Sequence, residues 1–382
     1  MTDDVPHPLE APPNERQWVR VAAELAEKFA QRAAEHDASA KVPLQNLTEL
    51  HGSGLDAALL PREAGGEGLG YRAFGEIVRL LSGACPSTAC IWVMHIGASV
   101  GLVNLSRPEA SRFYADQLIA GARFANALSE PSGGNRFLVP MQHAEPAADG
   151  GHVLTGAKRF ASGATIADHF LVNALVDDVP TFFGVAKDDT IGFVGNWDAM
   201  GLRASDSQLL EFTRTPLCAE RRCPPSVGDR PNHIAAGISS LSLGVAQALL
   251  REVMAYAAGR RIPPGETVLA DQDWLQREVA DVHTRLEAAT MYARHMEWLA
   301  DQCSPEFLAA TVRAKLLTNA IAEDAARLAL HAGGGHAYLR GTTIERLFRD
   351  AQAGHLMAYS AEVCQGILGT GLMTAAKDRH GD

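Results

Sequence analysis

His152-Val153-Leu154-Thr155-Gly156-Ala157-Lys158-Arg159-Phe160-Ala161-Ser162-Gly163 opens on a short apolar run, crosses a glycine and ends in a charged pair, an aromatic and a hydroxyl. Three further runs share its character: Phe124-Ala125-Asn126-Ala127-Leu128, His169-Phe170-Leu171-Val172 and Phe182-Phe183-Gly184-Val185. Gly, Asp and Pro separate them, and strands punctuated by turns at this interval predict a small β-barrel or sandwich. No helical segment intervenes, which disfavours a parallel βαβ sheet. No G-x-G-x-x-G follows a strand, which argues against a nicotinamide-type dinucleotide site.

Outward from this β-block the pattern turns helical on both sides. Upstream, Val19, Ala22, Leu25, Ala26, Phe29 and Ala33 recur at helical spacing. Further helices are expected near 73–84, 88–104 and 108–119, with Leu59–Gly70 too glycine-rich for anything but an irregular connection. Downstream, alanine- and leucine-rich segments near 233–260, 271–302, 304–332 and 343–370 with short Pro or Gly breaks predict an up-and-down bundle. The expected fold is therefore α+β and mostly α: an N-terminal helical domain (1–120), a central β-barrel or sandwich domain (121–225) and a C-terminal four-helix bundle (226–382).

Composition narrows the function. With 382 residues the chain has ample length for two or three domains, and 47% apolar against 21% charged residues excludes disordered and fibrous classes. A net charge of -11 without a basic stripe argues against a nucleic-acid partner. No uninterrupted apolar run approaches the ~20 residues of a membrane span. The acidic, proline-rich start is not that of a signal peptide, so a cytoplasmic protein is expected. Six cysteines at these spacings read as free thiols in a reducing compartment. The scattered histidines include no H-E-x-x-H, so no metal site is expected.

Three segments could carry chemistry. Ser129-Glu130-Pro131-Ser132-Gly133-Gly134 leaves a strand as a loop whose backbone could approach a ligand or simply turn. In Lys158–Gly163 an aromatic and a hydroxyl stand side by side: Phe160 could stack on a planar ring or fill the core. Gly333-Gly334-Gly335 breaks a helix and could free backbone amides for a phosphate or an adenine edge.

Taken in order, these segments resemble the acyl-CoA dehydrogenase superfamily of flavoproteins over nearly the whole chain. Leu60–Gly70 is similar to its P-E-x-G-G-x-G-L segment, Ser129-Glu130-Pro131 to its T-E-P turn, and Thr155–Gly163 to its N-G-x-K-x-W-I-T/S-N/G strand. Met200–Ser207 resembles G-x-R-x-S-x-S/T, Gly334–Tyr338 resembles G-G-x-G-F/Y, and Leu347–Ala351 contains the R-D-A motif. The resemblance implies FAD, with FMN as the other possibility. It places Leu128, Ser129 and Ser162 at the isoalloxazine ring and Phe160 over its face. Arg260, Gln276, Gly334 and Gly335 match residues that reach the FAD of a neighbouring subunit. That implies a homo-oligomer, dimer or tetramer, sharing its flavin sites.

One departure bears on the chemistry. The family's dehydrogenases carry a catalytic glutamate seven residues after the Ala of R-D-A, and here that position is Ala358. Where other members hold the base, at the start of the bundle, this chain offers His233 and Ile234. Removing an α-proton needs a positioned base. Its loss resembles the superfamily's oxygen-using branch, the flavin-dependent monooxygenases and nitroso-forming enzymes, in which a histidine often assists proton transfer. The candidates are His95 and His355. Asn135-Arg136 also departs from the family's Ser-Asp, and Ile262-Pro263-Pro264 from its F-G-x-P turn. The expected function is an FAD-dependent monooxygenase or oxidase on a small organic or acyl-thioester substrate, supplied with electrons by a flavin reductase or an electron-transfer flavoprotein. The alternatives are an acyl-thioester dehydrogenase with a relocated base, and a silent flavin-binding protein.

Overall fold

A computed structural model describes residues 7–131, 138–225 and 231–380. Helices α1 (Arg16–Ser39), α2 (Leu44–Gly52), α3 (Leu55–Ala58), α4 (Tyr71–Ala84), α5 (Pro86–Leu105) and α6 (Pro108–Ile119) come first. In α1 the buried residues are Ala22, Leu25, Phe29 and Ala33, a single stripe that faces the core. By contrast, α5 is buried almost all round. It starts on Pro86, whose missing N–H costs nothing in a first turn.

Strands follow: β1 (Phe124–Ala127), β2 (Ala144–Pro146), β3 (His152–Ala161), β4 (His169–Val176), β5 (Val179–Ala186), β6 (Ile191–Val194) and β7 (Gln208–Leu217). They form two sheets, ordered β1-β4-β5 and β2-β3-β7-β6. Phe170, Phe183, Leu154, Leu210 and Phe212 pack between them. One pairing departs from expectation: β1 runs parallel to β4, with Phe124 opposite His169. Here the crossover carries strands of the second sheet, so the missing helix did not preclude parallel pairing.

The chain then returns to helices α7 (His233–Gly259), α8 (Asp273–Asp301) and α9 (Phe307–Tyr338). Asn232 caps α7, its Oδ1 accepting the Ala235 N–H at 2.9 Å. The glycines expected to break the helix do so: α9 is two helical stretches that meet at a kink. Gly334 alone leaves helical geometry (φ 52°, ψ -137°), a conformation open to a residue without Cβ, and the helix resumes. The single helix expected near 343–370 is instead three: α10 (Thr343–Ala351), α11 (Ala353–Leu356) and α12 (Ala361–His380). A cause lies underneath. Lys315 Nζ and Asn319 Nδ2 donate to the Gly354 carbonyl at 2.6 and 2.9 Å, occupying an oxygen that a continuing helix would use. Between them, Met357–Ser360 form a turn with Ala358 in left-handed backbone (φ 56°).

α7 runs through the centre, against α4 on one side and α9 on the other. At Gly244 the α4 backbone comes so close that a Cβ would lie 2.3 Å from the Arg79 carbonyl. Nearby, the buried Arg79 Nη1 donates to Glu297 Oε1 at 2.8 Å, joining α4 to α8. By length and composition, α5 and α7 could each cross a membrane, although Ser, Thr and Gly interrupt their apolar runs. Their apolar windows are 78% and 89% buried inside this protein.

Candidate active site

The end of β3 builds one wall of a cleft. The register between β3 and β7 shifts between Lys158 and Ala161, and Phe160 within that bulge has φ 60°. Such backbone is strained for an aromatic residue. It turns the Phe160 ring out of the sheet, leaving it 52% exposed. The Arg159 N–H donates to the Ser129 carbonyl at 2.8 Å, fixing the Ser129 loop beside the strand. Ser162 and Ser207 hydroxyls meet at 2.8 Å, and Ser207 meets Ser205 at 2.8 Å.

The other walls come from Cys90 and Met94 of α5, Ile234 of α7, the Trp197–Leu202 loop, and the segment from Arg349 through Ala358. Together they enclose about 220 Å³. Trp197 meets Phe160 edge-on, with centroids 6.5 Å apart. Gly201 is required where the loop crosses α10, since a Cβ there would lie 2.3 Å from the Arg349 carbonyl. Beneath the loop, burial pushes the Asp350 carboxyl up to about 6, although the Leu202 N–H donated to it at 2.6 Å works the other way.

The residues expected around the ring, Leu128, Ser129, Phe160 and Ser162, all line this cleft, as does Ala358. Arg260, Gln276, Gly334 and Gly335 do not. They sit at the far end of the bundle, where Tyr256 stacks on His336 at 5.4 Å and Trp274 packs on His331 at 4.8 Å. There Arg260 is exposed, and the side of Gly334 and Gly335 is open space. Within one chain the expected cofactor residues thus form two separate groups.

Neither histidine candidate lines the cleft. His95 is 2% exposed; its Nδ1 accepts the Phe124 N–H at 3.0 Å and its Nε2 lies 3.6 Å from Asp56 Oδ2. Burial alone would raise the Asp56 carboxyl. The neighbouring His51 and His95 rings and the Arg123 charge overcome that and hold it well below the usual range. His95 is thereby tied into the packing behind β1. His355 turns outward, Nε2 2.8 Å from Glu323 Oε1. His233 stacks on Tyr71 at 4.6 Å and meets Phe74 edge-on at 4.9 Å; burial pulls it down to about 4, so it is neutral at pH 7. Among the described residues lining the cleft there is no carboxylate and no imidazole.

Asn126 and Arg159 line the cleft without having been singled out. Asn126 is a polar residue inside an apolar strand, Phe-Ala-Asn-Ala-Leu, and that mismatch was the available signal. The tail of the Ser129 loop (Ser132, Gly133, Gly134) and Asn135-Arg136 lie outside the described residues.

Comparison with known proteins agrees with this architecture. Residues 12–122 match the acyl-CoA dehydrogenase N-terminal domain, and residues 229–373 match the acyl-CoA dehydrogenase C-terminal domain. The chain is 30% identical to L-evernosamine nitrososynthase from a Micromonospora species, over 91% of this chain and 88% of that one. It belongs to the acyl-CoA dehydrogenase family, a family of flavin-dependent oxidoreductases. A putative acyl-CoA dehydrogenase of Bacillus subtilis, YdbM, is 26% identical over 89% of this chain and 92% of that one. Among solved structures, butyryl-CoA dehydrogenase from Megasphaera elsdenii superposes with a TM-score of 0.86 at 20% identity, covering 95% of this chain and 98% of that one. FMN-bound TdsC from Paenibacillus sp. A11-2 gives 0.82 at 20% identity, covering 94% and 97%.

Proposed function

We propose that this protein is a flavin-dependent monooxygenase or oxidase, using FAD or FMN, that acts on a small organic or acyl-thioester substrate. The observation that carries the reading is Ala358: it stands on the cleft wall where the family's dehydrogenases place their base, in a cleft whose described lining holds no carboxylate or imidazole.

The cleft fits a flavin. Phe160 offers an exposed ring face, Asn126 Oδ1 is buried without a partner, and the linked Ser162, Ser207 and Ser205 hydroxyls stand at one edge. A bound reduced flavin would supply two electrons to dioxygen; with two protons, one oxygen atom would enter the substrate and the other would leave as water. The chain's residues do the rest. Phe160 stacks on the ring plane and Trp197, edge-on to it, limits how far it swings. Ser162 hydrogen-bonds the ring edge, with Ser207 fixing its hydroxyl direction. Met94, Ile234, Leu356 and Met357 keep the chamber apolar, which restricts water and strengthens each polar contact inside.

A dehydrogenase with its base moved to His233 or His355 has less support. His233 is sealed among aromatic rings and His355 faces Glu323. A silent descendant would not need Ser129, Phe160 and Ser162 converging on one cleft. The exposed group at Arg260, Gln276 and Gly334-Gly335 supports a homo-oligomer, dimer or tetramer, in which it reaches a neighbour's flavin. A separate flavin reductase is proposed as the electron source, and free cysteines suit a cytoplasmic location.

Anaerobic addition of short- to long-chain acyl-CoA to the flavin-loaded protein tests the reading. The flavin spectrum should stay oxidised. Stoichiometric bleaching by any acyl-CoA would reinstate the dehydrogenase.

A further inference from the structure

We infer that Arg159 is the recognition point for an anionic group, a carboxylate or a phosphate, carried by the substrate. This rests on the flavin reading above and adds a substrate class to it.

Among the described residues, two cations line the cleft, and they differ. Arg349 is answered: Asp37 Oδ2 and Glu345 Oε1 each lie 2.5 Å from its guanidinium. Arg159 has no carboxylate partner among the described residues, and its Nε is buried with no hydrogen bond. Its guanidinium lies over the Phe160 ring, 4.7 Å from the centroid, which holds the fork in place without using its donors. A rigid, charged, unused fork matches the two oxygens of a carboxylate or phosphate.

Asn126 does not share this role, because its free atom is an acceptor that would repel an anion. It is 7% exposed, its Nδ2 donates to the Met94 carbonyl at 2.7 Å, and its Oδ1 is buried with no partner. A buried acceptor left unmade is costly, so this oxygen is built to receive an N–H or O–H from whatever fills the cleft. The remaining described lining contains no acidic group to repel an anion. The flavin carries phosphates too. In the shared-site reading these belong to Arg260 at the other end of a neighbouring bundle, which leaves Arg159 for the substrate.

Isothermal titration calorimetry with phenyl phosphate, benzoate and neutral benzyl alcohol tests this, on flavin-loaded and flavin-free protein alike. Flavin content is measured first, so failure of the flavin reading registers separately. Phenyl phosphate and benzoate should bind at least tenfold more tightly than benzyl alcohol. Arg159→Met should remove that preference while leaving benzyl alcohol binding and flavin content unchanged, and Arg159→Lys should restore part of it. Equal binding of all three probes, or an undiminished preference in Arg159→Met, would overturn the inference. So would a variant that loses FAD but retains riboflavin, since the anion held there would then be the cofactor's own phosphate.

Discussion

Lys158 Nζ lies 2.8 Å from Glu130 Oε1, and both side chains are withdrawn from solvent. Lys158 also donates to the Asn173 carbonyl and Oδ1, while Glu130 accepts the Met141 and Gln142 N–H groups. Burial pulls the Lys158 ammonium down, and Glu130 works to hold its proton on. The pair thus ties the loop bearing Ser129 to the strand bearing Phe160, and the cleft wall depends on it.

Removing one partner of such a pair leaves a buried charge alone. Lys158→Met should cost about 3–5 kcal/mol in urea unfolding and lower flavin occupancy of the purified protein. A loss below about 1 kcal/mol would mean that the pair does not set the wall.

Arg260 should behave in the opposite way. It is exposed and makes no contact with the cleft of its own chain, so Arg260→Ala should leave unfolding within about 0.5 kcal/mol of the parent. If the proposed shared site holds, flavin retention through gel filtration should nevertheless fall, through loss of a phosphate contact to the neighbouring subunit. Unchanged flavin content would remove Arg260 from any site.

His233 provides a test by pH. Its folded value is about 4 against an ordinary 6.5, so the unfolded chain binds the extra proton first. The stability this lends is complete above pH 6.5 and is lost as pH falls toward 4. Asp350, raised to about 6, has the reverse slope, its contribution being complete below its unfolded value and lost as pH rises through about 6. A difference measurement separates them. His233→Phe, which preserves the stack on Tyr71 and removes an unpartnered Nε2, should gain on the parent as pH drops from 6.5 to 4, by on the order of 3 kcal/mol. A pH-independent difference would contradict the assignment.

At Gly244 an added methyl meets backbone that cannot rotate away. Gly244→Ala should destabilise by about 1–3 kcal/mol as α4 and α7 are pushed apart, measured by thermal unfolding. A neutral outcome would show that the two helices can slide.

The readable parts of this fold were those governed by local periodicity. Ala22, Leu25, Phe29 and Ala33 fall on one buried stripe as their spacing required. The break at Gly333–Gly335 was legible as well, and Gly334 is where α9 kinks. The other break was harder because it answers to distant residues. Nothing near Gly354 announces that Lys315 and Asn319 will take its carbonyl and split the fourth helix. The cleft followed the same division. Ser129, Phe160 and Ser162 were found through short ordered motifs, whereas the inward burial of His95 depends on Asp56 and Phe124, and the unpaired fork of Arg159 on what is missing around it.

The oxygen reaction of the reduced protein tests the central claim most directly. The flavin-loaded protein is photoreduced without oxygen, mixed with aerated buffer in a stopped-flow instrument and followed through the flavin bands. An oxygen-using enzyme should reoxidise within seconds and pass through a species that absorbs between the reduced and oxidised forms. Reoxidation over many minutes with no such species, together with bleaching by acyl-CoA, would contradict the account.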